Sequence, residues 1–215
     1  SPWWIMERPE DFERFFDESR KRLQTDVIDF YHIHMIMHRA WKEKVLPFRL
    51  MEKIETLKAQ GKIRFSGFSF HDNVTLFKRV VDANPDWNFC LIQQNYLDTE
   101  HEAGLLSLKY AAGRGMGVSV MEPLRNGFLV TPPREVQAVF DAAPRKRSPV
   151  EWAFDYLWNM PEVSVVLSGM GSMRNVEDNL SYAKRSGPGM LDAEDVAVIG
   201  SAARRYRSYE GVIPC

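Results

Sequence analysis

The residues of this sequence with the clearest capacity for chemistry stand near the ends of five short apolar runs. The runs occupy residues 27–34, 63–70, 89–96, 117–124 and 163–170. Near their ends lie the side chains of His34, Ser69, Gln93, Glu122 and Ser168. Imidazole, hydroxyl, amide and carboxylate groups hold polar ligands or move protons, and a strand that served only for packing would not need them.

The apolar runs have the pattern of buried parallel strands. Each is apolar on both faces, which is typical of strands covered by helices, and a helix-like segment follows each one. The predicted helices cover residues 9–23, 47–60, 74–82, 102–112, 135–141, 148–158, 175–183 and 192–207. In barrels of such units, chemistry sits at the carboxyl ends of the strands. An open doubly wound sheet is the alternative, but no glycine-rich nucleotide fingerprint or P-loop follows any run, which disfavours it.

Composition argues against several classes of function. The chain has 215 residues, of which 45% are hydrophobic and 27% charged, and its formal net charge is −1. Nothing in that balance favours nucleic acid or an anionic membrane as a partner. No apolar run is long enough to span a bilayer, and no signal peptide is recognisable. The two cysteines, Cys90 and Cys215, form no disulfide framework, so we expect a cytoplasmic protein. We also expect a single domain over residues 1–215.

Five stretches, taken in order, resemble the aldo/keto reductase family. They are residues 23–34, 61–69, 93–96, 121–124 with Gly127, and 169–179. Each motif alone is modestly specific, but their order and spacing agree over nearly the whole chain. The resemblance implies an α/β fold of the (β/α)8 TIM-barrel type. It also implies reversible reduction of a small-molecule carbonyl substrate to an alcohol by hydride from NADPH.

The same resemblance implies that part of the barrel is missing. Such barrels typically need about 250 residues, whereas the five runs match the fourth to eighth strands of the family pattern. We therefore expect the first three strands to be absent, together with the family's catalytic tyrosine, lysine and aspartate. Either the chain is the C-terminal portion of a longer protein, or the missing barrel half comes from elsewhere. In isolation it should have little or no catalytic activity.

Two short stretches resemble one subgroup of the family in particular. The run from Glu122 to Leu124 and the terminal residues 213–215 are similar to members in which a ferredoxin-like tail binds 4Fe–4S clusters. A cluster of this kind needs four thiolates, so Cys215 is expected to be at most a first ligand in a longer protein. No metal site is expected within this chain. A tail of this kind would link the chemistry to iron–sulfur electron transfer.

His34 is the catalytic candidate that the resemblance provides. It matches the family's active-site histidine, which hydrogen-bonds the substrate carbonyl, and a neutral imidazole can donate to that oxygen. The alternative is a hydrogen-bonded histidine at a barrel mouth. His32 has the same strand parity, so it should also point inward, and we expect it to fill the barrel. His38 follows in a loop that can line the substrate mouth.

Ser69 and Gln93 match the family positions that hold the nicotinamide carboxamide. Hydroxyl and amide side chains suit this role because a primary amide both donates and accepts hydrogen bonds. The family often has asparagine directly after the serine, where this chain has Phe70. His71 or Asn95 can replace that contact. A polar residue that merely ends a strand is the alternative interpretation of Gln93.

The next matching run, from Met121 to Arg125, would carry the nicotinamide and the pyrophosphate. Met121 stands where many members have an aromatic residue against the nicotinamide, and its thioether can cover the ring or simply fill the core. Glu122, Pro123 and Leu124 then lead into a turn whose backbone can meet the pyrophosphate. Arg125 is a candidate phosphate partner.

The last run ends in a predicted helix start that suits a phosphate. Helix N-termini bind anions through free N–H groups, and the usual phosphate site of these barrels follows strands seven and eight. Gly169 precedes this helix, Ser172, Arg174 and Asn175 would hold the 2′-phosphate of the adenosine, and Asn179 the adenine. The family's arginine position appears here as Asn175, so NADP and NAD both stay open as cofactors.

Together these residues predict an oxidoreductase that transfers a hydride between NADP(H) and a carbonyl or alcohol substrate. The competing hypothesis is a non-catalytic nucleotide-binding or assembly module. Such a module would keep Gln93 and the helix start after Gly169 without any hydride chemistry. The partners expected are the substrate and the missing barrel half or ferredoxin-like tail.

Overall fold

A computed structural model of the chain describes residues 2–208, and these alternate between strands and helices. The strands are β1 (Ile28–Ile36), β2 (Ile63–Phe70), β3 (Phe89–Gln93), β4 (Gly117–Met121) and β5 (Val165–Val166). They form one sheet in the order β1-β2-β3-β4-β5. The pairs β1–β2 and β2–β3 are parallel. The structure thus confirms an α/β fold with a parallel sheet.

Helices follow the strands as the sequence predicts. They are α1 (Asp11–Leu23), α2 (His38–Ala40), α3 (Leu50–Ala59), α4 (Val74–Ala83), α5 (Gly104–Gly113), α6 (Arg134–Ala142), α7 (Pro149–Trp158), α8 (Met173–Ala183) and α9 (Ala193–Arg207). A π-helical turn, Trp41–Val45, continues from α2. In the part of the chain that the structure describes, none of the helices combines the length and apolar character needed to cross a bilayer.

Local side-chain bonds explain where several helices begin. The Asn73 side chain accepts from two backbone N–H groups at the start of α4. Ser148 caps α7 by accepting from the Glu151 N–H at 3.1 Å, with Pro149 in the first helical position, as predicted. Asp192 caps α9 in the same way. Since these residues satisfy N–H groups that the helix leaves unpaired, each fixes a boundary.

Four of the strands differ in their bounds from the predicted runs. β1 continues two residues past His34, through a register shift at which Met35 has a φ of 53°. β3, β4 and β5 are shorter than the predicted runs 89–96, 117–124 and 163–170. The apolar pattern persists past their ends, but left-handed backbone at Glu122, directly after β4, ends the extended conformation of that strand. Only β2 has the predicted bounds.

The chain divides into two compact units. The first comprises the residues up to Ile92 together with Glu100–Ser119. The second comprises Gln93–Thr99 and the residues from Val120 onward. β3 and β4 each have residues in both units, so the division follows the contacts and not the strand boundaries. The single domain expected over residues 1–215 stays a prediction.

In the first unit, one face of β1 packs against a helix and the other is open. Tyr31 is buried and meets Phe12 and Phe16 of α1 with ring centroids 6.0 and 5.1 Å apart. The alternate position, Phe30, is 63% exposed and stacks on Phe65 of β2 at 5.0 Å. Alternation along the strand therefore presents aromatic rings on the uncovered face.

The second unit has its own core, which contains a buried ion-pair network. Phe140 of α6 stacks on Trp152 of α7 at 6.1 Å. The Arg147 guanidinium lies 4.4 Å from the centre of the Trp152 ring and pairs with Asp155 and Asp195, each at 3.0 Å. The backbone N–H of Asp195 donates to the capping residue Asp192 at 2.9 Å, while its carboxylate belongs to this network. Because buried charges need partners, the three groups hold α7 and α9 in one arrangement.

Replacing Gly67 with alanine tests the close approach of β2 and β3. A Cβ at this position would lie 2.5 Å from the Phe89 carbonyl oxygen and 2.7 Å from its ring. We expect Gly67→Ala to lower the free energy of unfolding by about 1–3 kcal/mol through overpacking. Chemical denaturation followed by circular dichroism measures it. The control is Gly113→Ala at the end of α5, where a Cβ meets nothing within 4 Å and about 0.5–1 kcal/mol of stabilisation is expected. Equal effects of the two changes would contradict the packing argument.

Candidate functional site

A cavity of about 480 Å³ in the second unit brings together several of the predicted site residues. Its lining residues are Met121, Glu122, Pro123, Leu124, Asn126, Gly127, Leu167, Ser168 and Gly169. They belong to the segments that follow β4 and β5, and the Leu167 N–H donates to the Val120 carbonyl at 2.9 Å. The wall therefore combines apolar side chains with backbone groups of irregular chain, a composition typical of small-molecule sites.

The segment after β4 has an unusual backbone. Glu122, Arg125, Asn126 and Gly127 all have positive φ angles, of 57°, 47°, 52° and 87°. The Asn126 N–H donates to the Glu122 carboxylate, so the Glu122 side chain folds back over its own loop. Left-handed conformations cost free energy for residues other than glycine, so the surrounding contacts must enforce them. Such strain is commonly found at functional sites.

Asn95 supplies the contact that fixes this loop. Its Nδ2 donates to the Glu122 carbonyl at 3.2 Å and to Asp98 Oδ2 at 3.1 Å. Its Oδ1 accepts from the N–H groups of Leu97 and Asp98 at 3.0 and 2.9 Å. The side chain is fully buried, and these four bonds use its whole hydrogen-bonding capacity. Asn95 therefore ties the turn after β3 to the loop after β4, and no group is left over for the carboxamide contact that was one option for it.

Gln93 and Arg125 are both turned toward one carboxylate. The Gln93 side chain, 5% exposed, places Nε2 3.5 Å from Asp98 Oδ2. Arg125 Nε lies 3.0 Å from the same oxygen, and its guanidinium lies 5.4 Å from the Phe128 ring centre. Neither Gln93 nor Arg125 is among the residues that line the cavity. The structure therefore does not place Arg125 where a phosphate partner was predicted, and the carboxamide contact of Gln93 stays a prediction. Sequence reasoning missed Asp98, because the one available signal, asparagine as a turn-forming residue at position 95, predicts a turn and not the ion pair.

The helix after β5 begins two residues earlier than predicted. Ser172 caps α8 by accepting from the Asn175 N–H at 3.2 Å. The Arg174 side chain is 89% exposed and lies 3.6 Å from Asp178. Asn179 Nδ2 donates to Ser168 Oγ at 3.1 Å, so it is connected to the cavity wall through that serine. Gly169 lines the cavity itself, whereas Ser172 and Arg174 lie outside its lining.

The first unit positions the two other predicted residues, His34 and Ser69. Ser69 is buried, and its Oγ accepts the Met35 N–H at 2.6 Å. The Trp3 indole N–H donates to the Met35 carbonyl at 3.0 Å, so both backbone groups of the irregular residue are held. His34 precedes Met35 within β1. The prediction that His34 ends this strand was therefore wrong. The exposed His34 ring lies 5.3 Å from the Trp4 ring.

The remaining histidines have identifiable partners or surroundings. His32 is half-buried, with its ring 5.9 Å from that of His34, and burial above all lowers its pKa to about 4. His71 Nδ1 lies 3.3 Å from Glu102 Oε1. His38 begins α2, so its predicted place in a loop was wrong, and its backbone N–H donates to Asp72 Oδ2 at 2.7 Å. His71 is therefore already engaged by a carboxylate.

Metal ligation finds no support in the described residues. Between residues 2 and 208, no group of three or more histidine, cysteine, aspartate or glutamate side chains is arranged to hold a metal ion. Cys90 is buried, and burial raises the pKa of its thiol to about 12, so it carries no charge at neutral pH. Cys215, with the stretch 213–215, lies outside the described residues.

Comparison with known proteins identifies what the chain is similar to. The model of the aldo/keto reductase family matches residues 2–203. L-galactose dehydrogenase of Arabidopsis thaliana is 28% identical over 186 residues, which are 80% of this chain and 57% of that protein. The uncharacterised oxidoreductase YrpG of Bacillus subtilis is 33% identical over 119 residues, 54% of this chain and 35% of its own length. The chain thus spans about a third to just over half of these relatives.

Solved structures share the fold at low sequence identity. The holo form of aldo-keto reductase AKR11C1 from Bacillus halodurans superposes with a TM-score of 0.74 at 23% identity, over 91% of this chain and 65% of that one. An aldo-keto reductase from Klebsiella pneumoniae in complex with NADPH gives a TM-score of 0.66 at 20% identity, over 88% and 63%. These likenesses establish the α/β fold.

Changing Asn95 to aspartate tests its place in the site. The new carboxylate would face the Glu122 carbonyl and Asp98 with acceptors only. We expect Asn95→Asp to lower the free energy of unfolding by about 2–5 kcal/mol, because a charged oxygen that faces two acceptors replaces two buried N–H donors. Asn175→Asp makes the same change at an exposed position in the first turn of α8, where it should be neutral or slightly stabilising. Thermal and urea denaturation measure both, and a tolerated Asn95→Asp would refute the arrangement.

The half-buried His32 ring predicts a loss of stability in mild acid. The pKa of this ring is about 4 in the folded protein against 6.5 ordinarily, so below pH 6.5 the unfolded chain binds a proton that the folded chain does not. The free energy of unfolding should therefore fall between pH 6.5 and 4. His32→Phe keeps an aromatic ring but cannot titrate. Its free energy of unfolding should therefore fall by about 1–3 kcal/mol less over this pH range. Urea denaturation over this range gives the difference, and a constant difference between the two proteins would contradict the assignment.

Proposed function

Because the chain belongs to the aldo/keto reductase family, we propose that it binds NADP(H) and takes part in hydride transfer between this cofactor and a carbonyl or alcohol substrate. The observation that carries the proposal is the cavity beside β4 and β5. Met121, Glu122, Pro123, Leu124 and Gly169, all expected to contact the cofactor, line it together. Relatives named as a dehydrogenase and an oxidoreductase support the class of reaction.

The cavity of the second unit suits the nicotinamide and pyrophosphate part of a dinucleotide in its chemistry. A cavity of about 480 Å³ with a methionine and aliphatic wall suits a nicotinamide ring, and Met121 offers its thioether to the ring face. Left-handed backbone at Asn126 and Gly127 gives the loop the irregular path that backbone contact with a pyrophosphate requires. The Glu122 carboxylate is directed at the Asn126 N–H, which limits its repulsion of phosphate. Gln93 would meet the carboxamide.

The adenosine end would lie toward α8. Ser172, Arg174 and Asn175 would hold the 2′-phosphate, and Asn179 the adenine, as the family resemblance implies. The exposed Arg174 guanidinium is available to an anion at little desolvation cost, and the N-terminus of α8 adds its own favourable field. Arg125, which is bound to Asp98, is left out of this set. The 2′-phosphate contact favours NADP over NAD.

The chain's own residues then act on the substrate and the ring. NADPH, when bound, supplies the hydride. His34 would donate a hydrogen bond to the substrate carbonyl oxygen, where negative charge develops, and Ser69 supports the backbone directly after it through the bond to Met35. The carboxamide contact expected of Ser69 stays a prediction.

We infer that the five strands correspond to the fourth to eighth of an eight-stranded barrel. The chain spans 57% of L-galactose dehydrogenase and 65% of AKR11C1, and β1 exposes Phe30 on a face that would point into such a barrel. The other strands, with the catalytic tyrosine, lysine and aspartate, would come from the same or another polypeptide. This chain alone is then expected to bind cofactor with little turnover. The link to 4Fe–4S clusters stays a prediction.

Cofactor binding tests the proposal. Titration followed by quenching of the six tryptophans should show saturable binding of NADPH, with NADH bound about tenfold more weakly for lack of the 2′-phosphate. Arg174→Ala should remove most of this preference, whereas Arg204→Ala, the same charge change at an exposed site on α9, should leave it intact. Absence of binding by the folded chain would contradict the cofactor site. Binding with equal affinity for both nucleotides would contradict the role of Arg174.

A further inference from the structure

Three donors converge on a single carboxylate oxygen beside the proposed cofactor site. Asp98 Oδ2 lies 3.0 Å from Arg125 Nε, 3.1 Å from Asn95 Nδ2 and 3.5 Å from Gln93 Nε2. The Asp98 and Arg125 side chains are only 10% and 14% exposed. A shielded carboxylate with charged and neutral donors around it is a strong local constraint, because its hydrogen bonds are charge-assisted.

This constraint has a definite consequence for the Gln93 amide. A glutamine amide can present either its oxygen or its NH2 group to a ligand, and the two orientations differ by a rotation of 180°. A carboxylate only accepts hydrogen bonds, so Asp98 selects the orientation in which Nε2 points to it. The amide oxygen of Gln93 is then the atom left to accept a hydrogen bond from a ligand.

Arg125 makes the arrangement compatible with a phosphate-bearing cofactor. A buried carboxylate without a counter-ion is costly, and its field would oppose a nearby anionic ligand. The ion pair at 3.0 Å neutralises Asp98, and the Arg125 guanidinium stays with Phe128 and away from the cavity lining. The arginine thus serves Asp98 and leaves the cavity wall to the backbone of the loop after β4.

We propose that Asp98 is a positioning residue of the cofactor site, which orients the Gln93 amide so that its oxygen accepts from the primary amide of the nicotinamide ring. Arg125 is its counter-ion. This inference rests on the proposed function, because it names how the same site recognises the ring. It assigns specificity for a ligand amide nitrogen to Asp98, which contacts neither the ring nor the reacting atoms.

The inference predicts discrimination between two cofactors that differ at one group. NADP+ carries a carboxamide with N–H donors, whereas its 3-acetylpyridine analogue has a methyl ketone there and none. The chain should bind NADP+ about tenfold more tightly than the analogue, the ratio expected for one hydrogen bond. The double variant Asp98→Asn, Arg125→Gln leaves no unpaired charge, and its neutral amide at position 98 accepts or donates. Its preference should fall to less than about twofold.

Gln93→Met provides the matched control for action through the glutamine. It removes the amide, so it should abolish the preference by itself, and the double variant introduced on top of it should change the ratio no further. Binding by tryptophan quenching and folding by circular dichroism are measured for every protein. A double variant that keeps the tenfold ratio overturns the proposal. A loss of affinity that is equal for both cofactors also overturns it, since that outcome marks a merely structural role.

A second readout separates this inference from the proposed function. If the unaltered chain binds neither cofactor, the proposed function fails, and the side-chain amide NMR signals of Gln93 decide the orientation alone. Held by Asp98, these protons should exchange slowly with water, and the double variant should shift them and speed their exchange about tenfold or more. Unchanged signals would overturn the positioning role even where cofactor binding is observed.

Discussion

The candidate site depends on a buried asparagine that joins two turns. Asn95 accepts from two backbone N–H groups of its own turn and donates to the Glu122 carbonyl and to Asp98. A buried amide with all four bonds made is stabilising, and any change leaves at least one group without a partner. The bond from Asn95 to the Glu122 carbonyl fixes the position of the left-handed Glu122, and with it the loop that lines the cavity. The cavity exists because the strained loop is held at its first residue.

The buried carboxylates of the second unit are likewise held by specific partners. Asp98 lies 3.0 Å from Arg125, and Asp155 and Asp195 each lie 3.0 Å from Arg147. Arg145 supplies Asp195 with a second cation, so that Asp155 and Asp195 are paired by two arginines. Arg125 and Arg147 each also lie over an aromatic ring, which keeps the planar guanidinium in one orientation. Such pairs define geometry more than they add stability. For the site, this means that the second unit presents backbone and neutral side chains to the cavity, with its buried charges already matched.

The sequence predicted what local physical chemistry decides, and missed what distant partners decide. β2 and the start of α7 follow from an apolar run and from a serine before a proline, so both were predicted correctly. The predicted end of β1 was wrong, because the strand continues past His34 through a bulge at Met35. Ser69, which is 34 residues from Met35 in sequence, holds this bulge. Arg125 was predicted to bind phosphate because it lies in the turn that the resemblance assigns to the pyrophosphate. No pattern in the sequence reveals that Asp98 holds it. The cavity residues were chosen by resemblance, which identifies positions without giving their hydrogen bonds.

The most direct test of a cofactor site beside β4 and β5 is an NMR titration of the 15N-labelled chain with NADPH. We expect saturating shifts of the backbone amides of Asn126, Gly127 and Gly169, which line the cavity. A second cavity of about 460 Å³ provides an internal comparison, because Arg20 and Lys21 line it together with Asp17 and Asp26 and its charges are balanced. Shifts confined to that second cavity, with the three amides unmoved, would contradict the account.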